Sequence, residues 1–295
     1  MDAGQLRVFE AVARLGGMNR AAAELNTVQS NVTARVRLLE EELGTPLFRR
    51  HSRGVALTAA GQRLLPYAVR VRQLLEDARR AVDDDGTPRG RLIIGSLETT
   101  AALRLSPLLA AYVAVCPEVD LVLRTGTTCE LIEAVREHRL QGAFVCGPVS
   151  HPELAAEVVV REELAILTAP AVASLDQLLD QPDLKIIVLR AGCSYRQRLE
   201  EILTRRGVVG FRQLEFGTIE AILSCVAAGL GATLLPQSLL AAVGRGHEIA
   251  VHRLPAAEAQ VETLFVRRHD AYVSSALAAF LRLARPGTAH AAAAE

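Results

Sequence analysis

Residues Met18 to Gly44 read MNRAAAELNTVQSNVTARVRLLEEELG, and the fold of the whole chain turns on this stretch. It predicts two short helices joined by a tight turn. With Gln29 at zero and about 100° per residue, Val28, Val32, Val36, Leu39 and Leu43 share one apolar arc of about 80°. Gln29, Ser30, Thr33 and Arg37 share the neighbouring arc of about 100°, which holds no carboxylate before Glu40. The apolar arc alone would suit any surface helix. The adjacent arc carries an amide, two hydroxyls and a guanidinium, groups that pair with base edges and phosphates. Upstream, Arg20–Leu25 (RAAAEL) is a short, alanine-rich helix that another helix can cross closely, and Asn26 and Thr27 are turn and N-cap residues. A short helix, a tight turn and a longer helix with polar residues near its start make helix-turn-helix geometry.

Length and composition set the frame around that motif. A chain of 295 residues, half of them apolar, predicts two or three units with sizeable cores. No apolar run is long enough to span a bilayer, and Asp2, Arg7 and Glu10 fall inside a helical period where a signal segment would be apolar. A cytoplasmic protein with no membrane partner is expected. The five cysteines, Cys116, Cys129, Cys146, Cys193 and Cys225, are widely spaced without a CxxC, so neither a metal site nor a disulfide framework is predicted, and no cofactor motif appears. The net charge is zero, yet nine arginines cluster within residues 1–65, around the suspected DNA face.

Taken in order, residues 2–16 predict a first helix with Leu6, Phe9, Val12 and Ala13 as its buried stripe. Gly44-Thr45-Pro46 stops the recognition helix, and two short extended runs around Arg49–Gly54 make a wing whose arginines reach phosphates or a narrow minor groove. Thr58 caps a long helix to about Val82. Its Leu64, Ala68, Val71, Leu75, Ala78 and Val82 are spaced as a heptad seam, which predicts a coiled-coil-like dimer contact. Asp83–Pro88 breaks that helix and reads as a linker. From Arg91 strands alternate with helices in two similar halves, switching near Thr168 and Val266, the pattern of an α/β fold. The expected layout is residues 1–58 for DNA binding and 59–88 for a dimerising helix and hinge. Residues 89–286 follow as two lobes, one of about 89–167 with 267–286 and the other of about 168–266, and 287–295 form a disordered tail.

FEAVARLGGMNRAAAELNTVQSNVTARVRLLEEELGTPLFRR (9–50), followed by LTAAGQRLL (57–65), resembles the winged helix-turn-helix of the LysR-type transcriptional regulators. The match is dense over the first sixty-odd residues; the rest follows the family's architecture more loosely. One departure is Val28, where the family usually has Ser or Thr at the start of the recognition helix. The resemblance implies an α/β protein with three parts: a winged helix-turn-helix, a long linker helix and a two-lobed, periplasmic-binding-protein-like effector domain. It further implies double-stranded promoter DNA and a small-molecule effector as partners, a homodimer through the linker helix that builds a homotetramer, and RNA polymerase at the promoter. DNA contacts are expected from Gln29, Ser30, Asn31, Thr33, Arg35 and Arg37 on the recognition helix and from Arg50 and Arg53 in the wing.

In open α/β sheets ligands lie at the carboxyl ends of strands, beside helix N-termini with free N–H groups. That rule selects Glu98, Thr99 and Thr100, then Thr127 and Thr128, then Gly147, in the first lobe. In the second it selects Cys193, Ser194 and Tyr195, then Thr218. Thr99 or Thr100 and Thr128 match positions from which the family commonly holds a ligand. Helix N-termini favour an anion, whereas Glu98 opposes one, so the ligand's class stays open. Cys193, just ahead of a helix and three residues before Arg196, offers a second reading as a redox-responsive thiol with a lowered pKa. Peroxide-sensing members of the family carry their reactive cysteine at a similar corner. An enzyme on an α/β fold is the competing class, but GxSxG, P-loop, HExxH and GxGxxG motifs are missing, and no histidine pairs recognisably with a nucleophile. A solute-binding protein would fit the second half and leave residues 1–85 unexplained.

Overall fold

The computed structural model describes residues 1–51, 54–208, 210–243 and 248–285. The chain divides into two compact units, Met1–Asp85 and Gly86–Glu295.

In the first unit, α1 (Ala3–Leu15) opens with a capping box in which Asp2 and Gln5 satisfy each other's backbone N–H groups, and it ends at a left-handed Gly16. α2 (Met18–Glu24) and α3 (Gln29–Leu43) follow, then β1 (Phe48–His51), β2 (Gly54–Leu57) and α4 (Ala59–Asp83). Phe9, Val12, Ala21, Val32, Val36, Leu39 and Leu47 form a single core with Ala68 of α4. Of the expected apolar arc of α3, Val32, Val36 and Leu39 are buried, but Val28 and Leu43 are 60% and 39% exposed. Val28 is the N-cap, with extended backbone, so the helical wheel does not set its direction; Leu43 lies in the last turn, past the core. Glu10, 4% exposed, ties α1 to α4. It accepts from Arg14 Nε at 3.1 Å, and Arg72 Nε lies 3.7 Å away.

α4 is capped by Thr58, whose hydroxyl accepts from Gly61 N, and it runs unbroken through Pro66. Its heptad seam divides. Leu64, Ala68 and Val71 are used by the unit's own core, whereas Leu75, Ala78 and Val82 are exposed. Tyr67 and Leu74 add to the outward apolar surface at 68% and 58% exposed. The seam therefore has two jobs along its length, which spacing alone does not distinguish.

The second unit begins with β3 (Gly90–Ser96) and α5 (Glu98–Thr100), which passes through a π-turn at Ala101–Leu105 into α6 (Ser106–Val115). Pro107 lacks an N–H and so breaks the regular ladder, and the wide turn precedes it. Next come β4 (Val119–Thr125), α7 (Thr128–Arg136), β5 (Gly142–Cys146), β6 (Leu154–Thr168), α8 (Leu175–Leu179), β7 (Lys185–Val188) and α9 (Ser194–Arg205). The chain continues with β8 (Arg212–Glu215), α10 (Ile219–Ala227), β9 (Thr233–Pro236), α11 (Gln237–Val243), β10 (Ala250–Arg253), α12 (Ala256–Ala259), β11 (Gln260–Arg268) and α13 (Ser275–Ala284). The short helices α8, α11 and α12 have too few residues to show a period.

The main sheet runs β10-β6-β11-β5-β3-β4, with β9 also on β6; β7 and β8 form a separate parallel pair. β3 pairs in parallel with β4 and β5, which with β11 and the lower part of β6 builds the first lobe. The upper part of β6, Leu164–Thr168, pairs with β9 and β10 in the second lobe. The long strand β6 is therefore shared by both lobes. β6 passes from β11 to β9 and β10 just after Glu163, a few residues before the switch point expected at Thr168, whereas β11 stays paired with β6 along its length and takes β5 as a second partner over Thr263–Val266. Composition marks the ends of such strands but not the residue where their partners change. Tyr112, Phe144, Phe265 and Phe280 fill the first lobe's outer core, with Phe144 and Phe265 edge to face at 5.0 Å. Phe265 packs so closely on Gly142 that a Cβ there would meet the ring.

Candidate DNA-binding face and effector cleft

On α3, Gln29, Ser30, Asn31, Arg35 and Arg37 are exposed. Val28, the N-cap, has no side-chain acceptor to offer the first turn, and the hydroxyl of the preceding Thr27 accepts from Asn31 Nδ2 at 3.1 Å. The N–H groups of Gln29 and Ser30 thus remain available to an anion such as a phosphate. Glu40, the first carboxylate after the polar arc, turns away to accept from the backbone N–H groups of Leu47 (2.7 Å) and Phe48 (3.1 Å), fixing the entry to the wing. Thr33 departs from expectation. It is half-buried with its hydroxyl shielded and unpartnered, since its place on the wheel lies beside the Val32–Val36 core stripe. Arg50 lies on β1, opposite Val55; Arg53 lies outside the described residues, as does the 287–295 tail.

In the second unit a cleft opens between the lobes. Six residues selected by the strand-end rule line it: Glu98, Thr99 and Thr127 from the first lobe, Cys193, Ser194 and Tyr195 from the second. Leu97, Gly126, Cys146, Leu189 and Arg190 complete the wall. Cys146 ends β5, one residue before the corner selected at Gly147, and Arg190 lies two residues past β7, so both were within reach of the same rule. Thr100 is buried behind the wall with an unpartnered hydroxyl. Thr128 and Gly147 line an adjoining open groove. Thr218 is exposed and caps α10 through Ala221 N, away from the cleft wall.

The lobes touch across this cleft. Ser194 Oγ donates to Thr128 Oγ1 at 3.0 Å, and Thr128 Oγ1 also accepts from Cys146 N at 3.3 Å. At the rim Arg190 Nη2 lies 3.5 Å from Glu130 Oε2. The cleft is partly open to solvent and holds a cavity of ≈ 30 Å³ between the lobes. The two lobes meet at these contacts, with β6 running through both.

Among the described residues there is no cluster of metal-ligating side chains and no helix long and apolar enough to cross a membrane. Comparison with known proteins decides the family. Residues 3–62 match the bacterial regulatory helix-turn-helix protein model, lysR family, and residues 85–289 match the LysR substrate binding domain. The chain belongs to the LysR family. The HTH-type transcriptional regulator GltR of Bacillus subtilis is 43% identical over 281 residues, 95% of each chain. CzcR of Bacillus cereus is 39% identical over 282 residues, 96% of each. Among solved structures, a full-length OxyR variant from Pseudomonas aeruginosa matches with a TM-score of 0.71 at 20% identity, covering 98% of this chain and 96% of that one. Full-length CbnR in complex with its target DNA matches with a TM-score of 0.61 at 24% identity, covering 96% and 99%. These two likenesses show the fold. The chain is a DNA-binding transcriptional regulator with an effector-binding domain, not an enzyme, and LysR regulators bind promoter DNA and small-molecule effectors.

Within this LysR-family domain the redox reading of Cys193 is not favoured. Burial pushes its thiol pKa up, outweighing the first-turn amides of Arg196 and Tyr195 and the Arg196 charge. That charge is already committed, since Arg196 is held by Glu200 at 3.0 Å and Glu215 at 2.9 Å. Burial likewise pushes the Cys146 thiol up to about 11. A raised pKa means less thiolate at neutral pH. Cys193 should therefore alkylate with iodoacetamide more slowly than a free thiol of pKa about 8.5, and Cys193→Ser should leave any peroxide response unchanged. Mass spectrometry of the alkylated chain tests the first; rapid labelling of Cys193 would restore the redox reading.

Proposed function

We propose that this regulator lays α3 in the major groove, dimerises through the outer half of α4, and senses a small molecule held between the lobes of its second unit. On this reading Gln29, Ser30 and Arg37 face base edges, while Asn31, Arg35 and the wing arginines Arg50 and Arg53 hold the backbone. It acts in the cytoplasm, where promoter DNA is. An effector that favours one lobe angle changes the shape of a tetramer, hence the spacing of its DNA-binding pairs and the access of RNA polymerase. A tenfold change in transcription needs a differential affinity of only about 1.4 kcal/mol.

The observation that carries this reading is the inter-lobe bond of Thr128 and Ser194 at 3.0 Å, beside the pair Arg190–Glu130. Such contacts exist in one lobe orientation only, and so report its population. Thr128→Val removes the bond, costing the closed state about 1 kcal/mol. In a promoter-reporter assay the effector concentration for half-response should rise about fivefold, with operator binding in the absence of effector unchanged. A variant that responds like wild type would move the sensing event elsewhere; loss of operator binding would make Thr128 a structural residue.

A further inference from the structure

Three features of the cleft wall specify the chemistry of its occupant. Glu98 is half-buried there, and among the described residues no cation pairs with its carboxylate. Arg190, the arginine on that wall, is engaged with Glu130 at the rim. Tyr195 is 4% exposed and its hydroxyl has no hydrogen-bond partner. Burial drives its pKa strongly upward, with Cys146, Glu162, Thr99 and Cys193 as neighbours, and of these Cys146, Thr99 and Cys193 line the cleft. A buried, unpartnered hydroxyl is uncommon, because it forfeits its hydration without return.

The third feature is the start of α9, a twelve-residue helix whose N-cap, Cys193, makes no side-chain capping bond. The N–H groups of Tyr195 and Arg196 face the Cys193 thiol, a weak acceptor, and the N–H of Ser194 carries the helix's positive end into the cleft. Across the cleft the start of α7 is closed by its own capping box, with Thr127 N donating to Glu130 at 2.8 Å and Glu130 N to Thr127 Oγ1 at 3.3 Å. One end is closed by a carboxylate, the other only by a buried, neutral thiol.

From these features we infer that the effector is a zwitterion of the amino-acid class, with its ammonium group at Glu98 and its carboxylate at the N-terminus of α9, where Tyr195 donates its O–H. The inference rests on the cleft being the effector site. A plain carboxylic acid would meet the α9 N–H groups but leave Glu98 as an unbalanced like charge. A plain amine would neutralise Glu98 and leave Tyr195 and the helix end unmet. A ligand bearing both groups satisfies all three at once and adds no net charge to a partly enclosed space.

The test is thermal unfolding of the full chain with each standard L-amino acid, its decarboxylated amine and its deaminated acid. At least one amino acid should raise the unfolding temperature in a concentration-dependent way, and neither matched single-charge compound should do so. Glu98→Gln should weaken that amino acid about thirtyfold or more, and Tyr195→Phe about tenfold. Both variants should keep wild-type operator affinity, which controls for folding. Stabilisation by a deaminated acid alone, undiminished in Glu98→Gln, would overturn the zwitterion and leave the cleft as the effector site. A compound that both variants bind like wild type would remove the ligand from the cleft altogether. Stabilisation by none of the compounds would contradict the inference.

Discussion

Leu75→Glu should leave the N-terminal unit folded and destroy tight operator binding. Leu75 is 45% exposed, so the new carboxylate costs the isolated unit little. In the proposed dimer it lies in the outer half of the α4 seam with Val82, 86% exposed, and beside Leu74, 58% exposed. Burying an unpaired charge against the same residue of a second copy is costly, and the symmetry of the contact applies that cost twice. A monomer engages one half-site, and losing the second linked contact should lower operator affinity by about a hundredfold or more. Sedimentation velocity should show a smaller species, and footprinting should lose the paired protection. A variant that stays dimeric with normal affinity would place the interface elsewhere. Ala68, in the inner half, is an unsuitable probe because it is buried in the unit's own core.

Arg37→Ala carries the second large effect. Its side chain is exposed on α3 and makes no ion pair among the described residues, so truncation removes nothing that holds the fold. A guanidinium bidentate to guanine is worth about 1–3 kcal/mol, so specific affinity should fall about tenfold to a hundredfold and preference at one base pair should relax. Arg53→Ala in the wing should instead weaken all sequences alike and flatten the salt dependence. Gel titrations at two salt concentrations separate these behaviours. Unchanged binding in both variants would defeat the assignment of this face.

Much of this was legible in the sequence because periodicity and capping act locally. Asp2 with Gln5, Thr58 and left-handed Gly44 end or begin helices close to where the residue types predict. The strand-end rule reached six cleft residues because it follows from the geometry of any parallel α/β layer. The rest depended on packing between distant segments. Whether Leu64 or Leu75 faces the chain's own core depends on α1, and nothing in the heptad spacing carries that information. Thr33 reads as a groove residue on a wheel, yet its hydroxyl is shielded. Cys193 has the residue types of an activated thiol around it, and burial reverses the sign. The partnership of Arg190 with Glu130 joins residues from different lobes that no local pattern links.

Whether α3 reads DNA for a two-fold assembly is tested most directly by DNase footprinting on the promoter fragment that co-purifies with the protein from cells. Wild type should protect two half-sites separated by a whole number of helical turns, with contacts in the major groove that fade in Arg37→Ala. Uniform, sequence-independent protection that Arg37→Ala leaves intact would contradict it.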